Sequence, residues 1–293
     1  MEATYSRSES FFKGHDQTKL FLQAWTRPDA VGTVFFTHGQ AEHSDCYQRL
    51  INGLEQIKDT KKWNFVGWDL RGHGRSDGLR GYAHDFDDYV LDFELFVETS
   101  LKFDFVKNKS VIFLAHSMGG LIQTCALLEK KYAEHFPQIK GQILSSPLFD
   151  VSVPVPQWKD SGAEILNKLF PKITLGNEIK NEMLTRDPAV IREYEKDTYR
   201  HNKISSGVYL GFKREFQRCA QRAQDIEIPT LLILSDKDPI ISSTAAMKIF
   251  DLFSSNDKSL KIFEGARHEI FNDTCREEAF KSVQNFLDSK GTL

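Results

Sequence analysis

The sequence predicts an α/β fold, with a mostly parallel central sheet flanked by helices and an inserted helical cap. Three features carry that reading. Short apolar runs alternate with longer amphipathic stretches along most of the 293 residues. One apolar run leads straight into a serine followed by glycines and a helical pattern. The alternation then breaks once, over residues 150–225, and resumes.

Taken in order, residues 20–26, 32–37, 63–70, 110–115, 142–146, 230–235 and 259–263 read as strands. Several are apolar almost throughout, as in Gly32-Thr33-Val34-Phe35-Phe36-Thr37 and Ser110-Val111-Ile112-Phe113-Leu114-Ala115, which marks strands covered on both faces. Residues 44–58, 86–101, 118–132, 243–253 and 274–289 carry helical periodicity between them. Strands separated by helices form a parallel sheet with helices on both sides. The polar first ten residues give no strand signal. Residues 150–225 hold Val153-Pro154-Val155-Pro156 and several charged helical patterns, with no convincing strand. The expected division is therefore a core of residues 1–149 and 226–293 and a cap of residues 150–225. The cap would lie over the C-terminal ends of the strands, where open α/β sheets hold their ligands.

Composition narrows the class. Hydrophobic residues make up 40% and charged residues 27%, and the formal net charge is −3. No basic stripe interrupts that balance, so nucleic acid is not an expected partner. The four cysteines, Cys46, Cys125, Cys219 and Cys275, are far apart and form no CxxC pair. Neither a metal site nor a disulfide framework is expected from that spacing, and a reducing compartment fits. The N-terminus lacks a basic stretch followed by an apolar one, and no apolar run approaches the ~20 residues that span a bilayer. A cytoplasmic protein is the expectation, with room for a peripheral encounter with membrane. The 23 phenylalanines are expected to fill the core, with the alternative that some line an apolar substrate channel.

The chemistry begins at Ala115-His116-Ser117-Met118-Gly119-Gly120. A strand before and a helix after form the context of a nucleophile elbow, a tight turn that strains the serine backbone and lifts its hydroxyl above the sheet. Crowding at the turn requires small residues two before and two after, and Ala115 and Gly119 stand there. A serine needs a general base, and the base needs an orienting acid. With such an elbow the chain order is serine, acid, histidine. Of the later histidines, His135 comes too early and His201 lies in the expected cap. His268, just after the last strand, stands where the base belongs. The preceding strand ends in Ser235-Asp236-Lys237-Asp238-Pro239, which offers two aspartates. The later one, Asp238, is the expected acid, and Asp236 the expected turn-former. The oxyanion of a tetrahedral intermediate needs two backbone N–H donors. Met118, after the nucleophile, supplies one. Gln40, in the loop after the strand at 32–37, is the expected second, its side chain being incidental.

These segments resemble a known family. His38-Gly39-Gln40-Ala41-Glu42-His43, Asp69-Leu70-Arg71-Gly72-His73-Gly74-Arg75-Ser76-Asp77-Gly78, His116-Ser117-Met118-Gly119-Gly120, Asp238 and Gly265-Ala266-Arg267-His268 are similar, in order, to the monoacylglycerol lipase and lysophospholipase branch of the α/β-hydrolases. Leu184-Thr185-Arg186-Asp187-Pro188 and Tyr199-Arg200-His201 resemble the cap of that branch, which commonly has Gly in place of Ala41. The resemblance implies a triad of Ser117, Asp238 and His268, N–H donors at Gln40 and Met118, no cofactor, and a single-acyl-chain ester as substrate.

Around this centre, His38 and the loop at residues 72–76 are expected to support the fold. Glu42 is expected either to meet a polar head group or to fix its own loop. Apolar cap residues, Val151, Val153, Val155, Trp158, Ile165, Leu166, Leu169, Phe170, Ile173 and Leu175, are expected in part to face the serine and hold one acyl chain. The expected function is a serine carboxyl-ester hydrolase acting on an amphiphilic lipid ester, a monoacylglycerol or lysophospholipid, through an acyl-enzyme, with transient membrane contact through the cap. An aminopeptidase, amidase or short-chain esterase on the same fold is the alternative. A non-catalytic binding protein is disfavoured because all three triad residue types are present.

Overall fold

A computed structural model describes residues 5–129, 138–153 and 157–291, and, within these, the side chains of residues 157–160 are not described. His135, Val155 and the side chain of Trp158 lie outside the described residues. Eight strands form the main sheet in the order β1-β2-β4-β3-β5-β6-β9-β10. They are β1 (Ser6–Lys13), β2 (Lys19–Thr26), β3 (Gly32–Thr37), β4 (Trp63–Trp68), β5 (Ser110–His116), β6 (Ile139–Ser145), β9 (Thr230–Ser235) and β10 (Lys258–Phe263). Each neighbouring pair from β4 to β10 is parallel, whereas β2 runs antiparallel to both β1 and β4.

The strands β3, β4, β5 and β9 are buried at every position, which follows from their unbroken apolar sequence and helices on both faces. On one face, Phe35, Phe113, Trp68 and Leu144 pack against helices α2 (Asp87–Ser100) and α3 (Met118–Leu127). On the other, Val34, Phe36, Ile112, Ile143 and Ile233 pack against α1 (Gln48–Gln56) and α8 (Arg276–Lys290). Among the described residues, nine of the twelve largest fully buried side chains are phenylalanines, and eight of these lie in the two cores.

Two regions depart from the expectation. The N-terminal segment forms the edge strand β1, in which only Phe12 is buried. Its sequence, Ser-Arg-Ser-Glu-Ser-Phe-Phe-Lys, is that of a charged edge which backbone pairing to β2 holds in place. Between β6 and β9, three-residue strands β7 (Thr174–Gly176) and β8 (Lys203–Ser205) pair with each other. The same stretch holds α4 (Gln157–Leu169), α5 (Pro188–Lys196) and α6 (Ser206–Arg222). Helix α7 (Ser243–Leu252) follows β9.

The sequence signature Leu184-Thr185-Arg186-Asp187-Pro188 has a structural meaning here. Thr185 Oγ1 donates to the Asn272 carbonyl at 2.8 Å, Arg186 Nε donates to Asp273 at 2.7 Å, and Asp187 pairs with Arg276 at 2.7 Å. Asp187 also caps α5 by accepting from Ala189 N, with Pro188 at the first helical position. This stretch therefore fastens the β6–β9 excursion to the loop that follows His268.

Candidate active site

The loops after β3, β5, β9 and β10 all leave the sheet at the same ends of parallel strands. From β3 the chain order runs to β4 on one side and to β5 on the other, a switch point that opens a crevice. Ser117 sits at the β5–α3 junction with φ 51° and ψ −121°. That left-handed conformation costs a non-glycine residue about 1–3 kcal/mol, and such strain concentrates at functional sites. The neighbours enforce it. A Cβ on Gly119 would stand 2.4 Å from the Thr37 carbonyl oxygen and 2.5 Å from that of His38. Ala115 is accommodated between Thr37 of β3 and Leu144 of β6.

Asp238 and His268 meet as the chain order requires. His268 Nδ1 lies 2.7 Å from Asp238 Oδ2. The second carboxylate oxygen of Asp238 accepts from Ile240 N and Ile241 N, at 2.8 and 3.1 Å, so the acid is held from both sides. Both side chains are buried. Burial disfavours the imidazolium, but the charge and hydrogen bond of Asp238, with the charges of Glu269 and Glu42, together outweigh it and His268 is raised above its ordinary value. Burial likewise opposes the Asp238 carboxylate, yet His268 and the two N–H donors hold its pKa down. Asp236 does something else: its Oδ1 accepts from Gly265 N at 2.6 Å, fixing the loop that carries His268. With Nδ1 donating to Asp238, Nε2 of His268 is left as the acceptor nitrogen. Ser117, His116 and His268 line one cavity, in which the His116 and His268 rings are 4.6 Å apart.

The backbone N–H groups of Gln40 and Met118 have no acceptor among the described residues. The loop that carries Gln40 is held by its side chains. His38 Nε2 accepts from Leu70 N at 2.9 Å while Nδ1 bonds the Gly39 carbonyl at 2.7 Å, and burial lowers this histidine to about 4, so it stays neutral. Glu42 is buried and its Oε1 accepts from Gly39 N at 2.5 Å and from the Tyr47 hydroxyl at 3.3 Å. Of its two expected roles, the structure shows loop fixing, though Glu42 also touches the cavity wall. The Gln40 side chain is not incidental: its amide donates to the Lys203 carbonyl of β8 at 2.6 Å, tying this loop to the excursion. Ala41 has φ 68°, the region that favours glycine. The loop at residues 72–76 is also structural: Gly72 has φ 68°, and a Cβ there would stand 2.4 Å from the Leu79 carbonyl oxygen.

A model of the serine aminopeptidase (S33) family matches residues 28–275. The chain belongs to this α/β-hydrolase family. It is 29% identical to a monoacylglycerol lipase of Mycolicibacterium smegmatis, over 97% of this chain and 98% of that protein. To Phospholipase YtpA of Bacillus subtilis it is 27% identical, over 91% of this chain and 99% of that protein. An uncharacterized abhydrolase domain-containing protein of Dictyostelium discoideum is 31% identical over 94% of this chain, which spans only 28% of that longer protein. Among solved structures, the monoacylglycerol lipase of Paleococcus ferrophilus superimposes with a TM-score of 0.77 at 25% identity, over 99% of this chain and 100% of that one. These likenesses place the hydrolase in the monoacylglycerol lipase branch, as an ester-hydrolysing enzyme.

The cavity of this hydrolase has a volume of about 360 Å³, and most of the residues that line it are polar. Arg200 forms a bidentate pair with Glu269 at 3.0–3.1 Å, and its guanidinium lies 3.6 Å from the centre of the Tyr194 ring. Tyr194 also donates to Glu269. Burial and Glu269 raise Glu42 to about 7, whereas Arg200 outweighs burial at Glu269 and lowers it to about 2. Lys180, Asn181, Asn177 and Asn202 complete the polar wall from the β6–β9 excursion. Sequence reasoning did not assign these residues. Arg200 stood in the Tyr199-Arg200-His201 signature and Glu269 beside His268, but nothing in the spacing shows that they pair.

The expected acyl-chain wall is not found among the described residues of this cavity. Of the ten apolar residues named for it, none of the eight whose side chains are described lines the cavity, and no described phenylalanine does. Val151 packs at the core edge and bridges Ile241. Val153, Ile165, Leu169, Phe170, Ile173 and Leu175 face solvent instead. Ile165 and Leu169, one helical turn apart on α4, are both 61% exposed. The physical reason is that Asn177, Ile179, Lys180 and Asn181 take the place on the cavity wall beside the serine, while the α4 stripe faces solvent.

Proposed function

We propose that this hydrolase cleaves a single-acyl-chain ester, a monoacylglycerol or lysophospholipid, through an acyl-enzyme on Ser117. The observation that carries the reading is a strained serine at the head of α3, beside a buried Asp238–His268 pair and two N–H groups without acceptors. Ser117 Oγ attacks the ester carbonyl while His268 Nε2 takes its proton, and Asp238 stabilises the imidazolium. The oxyanion accepts from the N–H groups of Gln40 and Met118. As the intermediate collapses, His268 returns the proton to the leaving alcohol. Water then attacks the acyl-enzyme by the same route and releases the fatty acid.

The polar wall favours a substrate with a polar alcohol portion at that end, and the names of the full-length relatives agree with a lipid ester. We further read residues 150–225 as the cap over residues 1–149 and 226–293, with its exposed apolar stripe meeting a membrane surface. Exposed apolar patches of this kind mark interaction sites. Among the described residues no helix is long and apolar enough to cross a membrane. The family description and the acidic groups on the cavity wall keep an aminopeptidase as the second reading. Measuring kcat/KM for monoacyl esters of two to sixteen carbons, beside aminoacyl amides, separates the two. The proposal expects kcat/KM to rise with chain length, each buried methylene contributing about 0.8 kcal/mol. A flat profile, or hydrolysis of the amides alone, refutes the lipid reading.

A further inference from the structure

Beside the active-site cavity, on the outer side of the loop that carries Gln40 and Glu42, lies a second cluster that the ester chemistry does not use. His43, Cys46 and Asp197 bring one donor atom each to within 4.8 Å of one another. His43 and Cys46 share one turn, with Cys46 N donating to the His43 carbonyl at 3.1 Å. Asp197 arrives from the end of α5, 154 residues further on, and its Oδ2 lies 2.7 Å from His43 Nε2. Linear spacing could not show this group.

We propose that His43, Cys46 and Asp197 bind a thiophilic divalent cation of the Zn2+ type. Nitrogen, sulfur and carboxylate oxygen are the donors zinc takes, at about 2.0–2.3 Å, which puts donors in a tetrahedral site about 3.3–3.6 Å apart. The cluster closes to that geometry with shifts of about one ångström. A thiolate and a carboxylate together offset the charge of the ion, and water completes the shell.

Two independent features agree. His43 is only 4% exposed, yet its Nδ1 has no hydrogen-bond partner among the described residues. Asp45 Oδ2 is 4.0 Å from that atom. A histidine that ligates through one nitrogen donates from the other to such a carboxylate. The three residues also line a cavity of about 510 Å³ bordered by Glu193 and Asn52, which adjoins the catalytic one at Tyr194 and Asp197 and gives an ion a path in. Of the opposing charges, Arg49 and Arg276 on the cavity wall are paired with Glu193 and Asp187, and Arg200 Nη2 is 3.5 Å from Cys46 Sγ. Its charge is already met by the bidentate pair with Glu269 and by Glu42 at 3.8 Å. A bound ion would join the oxyanion loop to the end of α5, two segments that both reach the catalytic cavity.

The test titrates the full chain, stripped of metal by a chelator, with zinc chloride by calorimetry and with cobalt chloride by absorbance. The expected result is one ion per chain and a sulfur-to-cobalt charge-transfer band. Cys46→Ser should abolish the band. Asp197→Asn should weaken zinc binding by at least about tenfold, the least expected of a residue in a metal site. Cys275→Ser, the other partly exposed thiol, should change neither. Because Cys46 is itself partly exposed, its serine variant should keep the wild-type circular dichroism. No saturable binding, a band that survives Cys46→Ser, or zinc affinity unaltered in Asp197→Asn overturns the proposal.

Discussion

The sheet core and the first part of the excursion between β6 and β9, residues 157–175, treat their apolar residues in opposite ways, whereas Val208 and Phe212 further along the excursion join the core. In the core, Val34, Phe35, Ile112, Phe113 and Leu232 disappear into two packed layers, and the loops at the strand ends inherit that rigidity. In the excursion, Ile165, Leu169, Phe170, Ile173 and Leu175 stay in solvent, while charged and polar residues turn inward. The core thus positions the reacting groups, and the excursion supplies a polar wall, an apolar outer face and the fastenings at Thr185, Arg186 and Asp187. Chemistry should therefore be sensitive to core loops, and substrate choice and surface binding to the excursion.

The largest test of that division is in the core loops. His268→Ala should cost as much activity as loss of the serine, because triad members act as a unit. Asp238→Asn should lower kcat by about 10⁴-fold. Asp236→Asn removes only a loop bond to Gly265 and should cost far less, as steady-state kinetics on the three variants would show. An Asp236→Asn effect matching that of Asp238→Asn breaks the assignment of the acid.

A smaller effect is expected with pH. In the proposed mechanism the neutral imidazole of His268 is the base, and Asp238 favours its protonated form. Activity should fall as pH drops through an apparent pKa above the ordinary value of about 6.5. His38, His73, His116 and His201 are all lowered, with burial the largest cause in each case, so they stay neutral across that range. A kcat/KM profile whose acid limb lies below pH ~6 contradicts the pairing.

The smallest catalytic effect is expected at the outer face. Leu169→Ser with Phe170→Ser should reduce binding to anionic phospholipid vesicles in a sedimentation assay, while leaving turnover of a short soluble ester within about twofold, as surface substitutions away from packed sites do. Equal loss of both activities would mean that the stripe serves the cavity.

The legibility of the two regions differs for the same reason. Apolar runs and the small-residue elbow announced β3, β4, β5, β9 and Ser117, because burial on both faces forces a local sequence signal. Asp238 was separable from Asp236 because one turn after a strand tip places the later aspartate toward the histidine. Strand β1 was silent because an exposed edge needs backbone partners rather than apolar side chains. Arg200, Glu269 and Tyr194 were silent as a group because their pairing is made in space by segments about 70 residues apart. The acyl-chain expectation failed at Ile165–Leu175 because an apolar stripe on a helix states that it will be covered, not by what.

The central claim is that Ser117 is the nucleophile, and a fluorophosphonate probe tests it most directly. Wild-type protein should incorporate one probe per chain, at Ser117 by peptide mass mapping, with ester hydrolysis lost in parallel. Ser117→Ala should retain the fold by circular dichroism, take up no probe and hydrolyse no ester. Labelling or turnover that persists in Ser117→Ala contradicts the account.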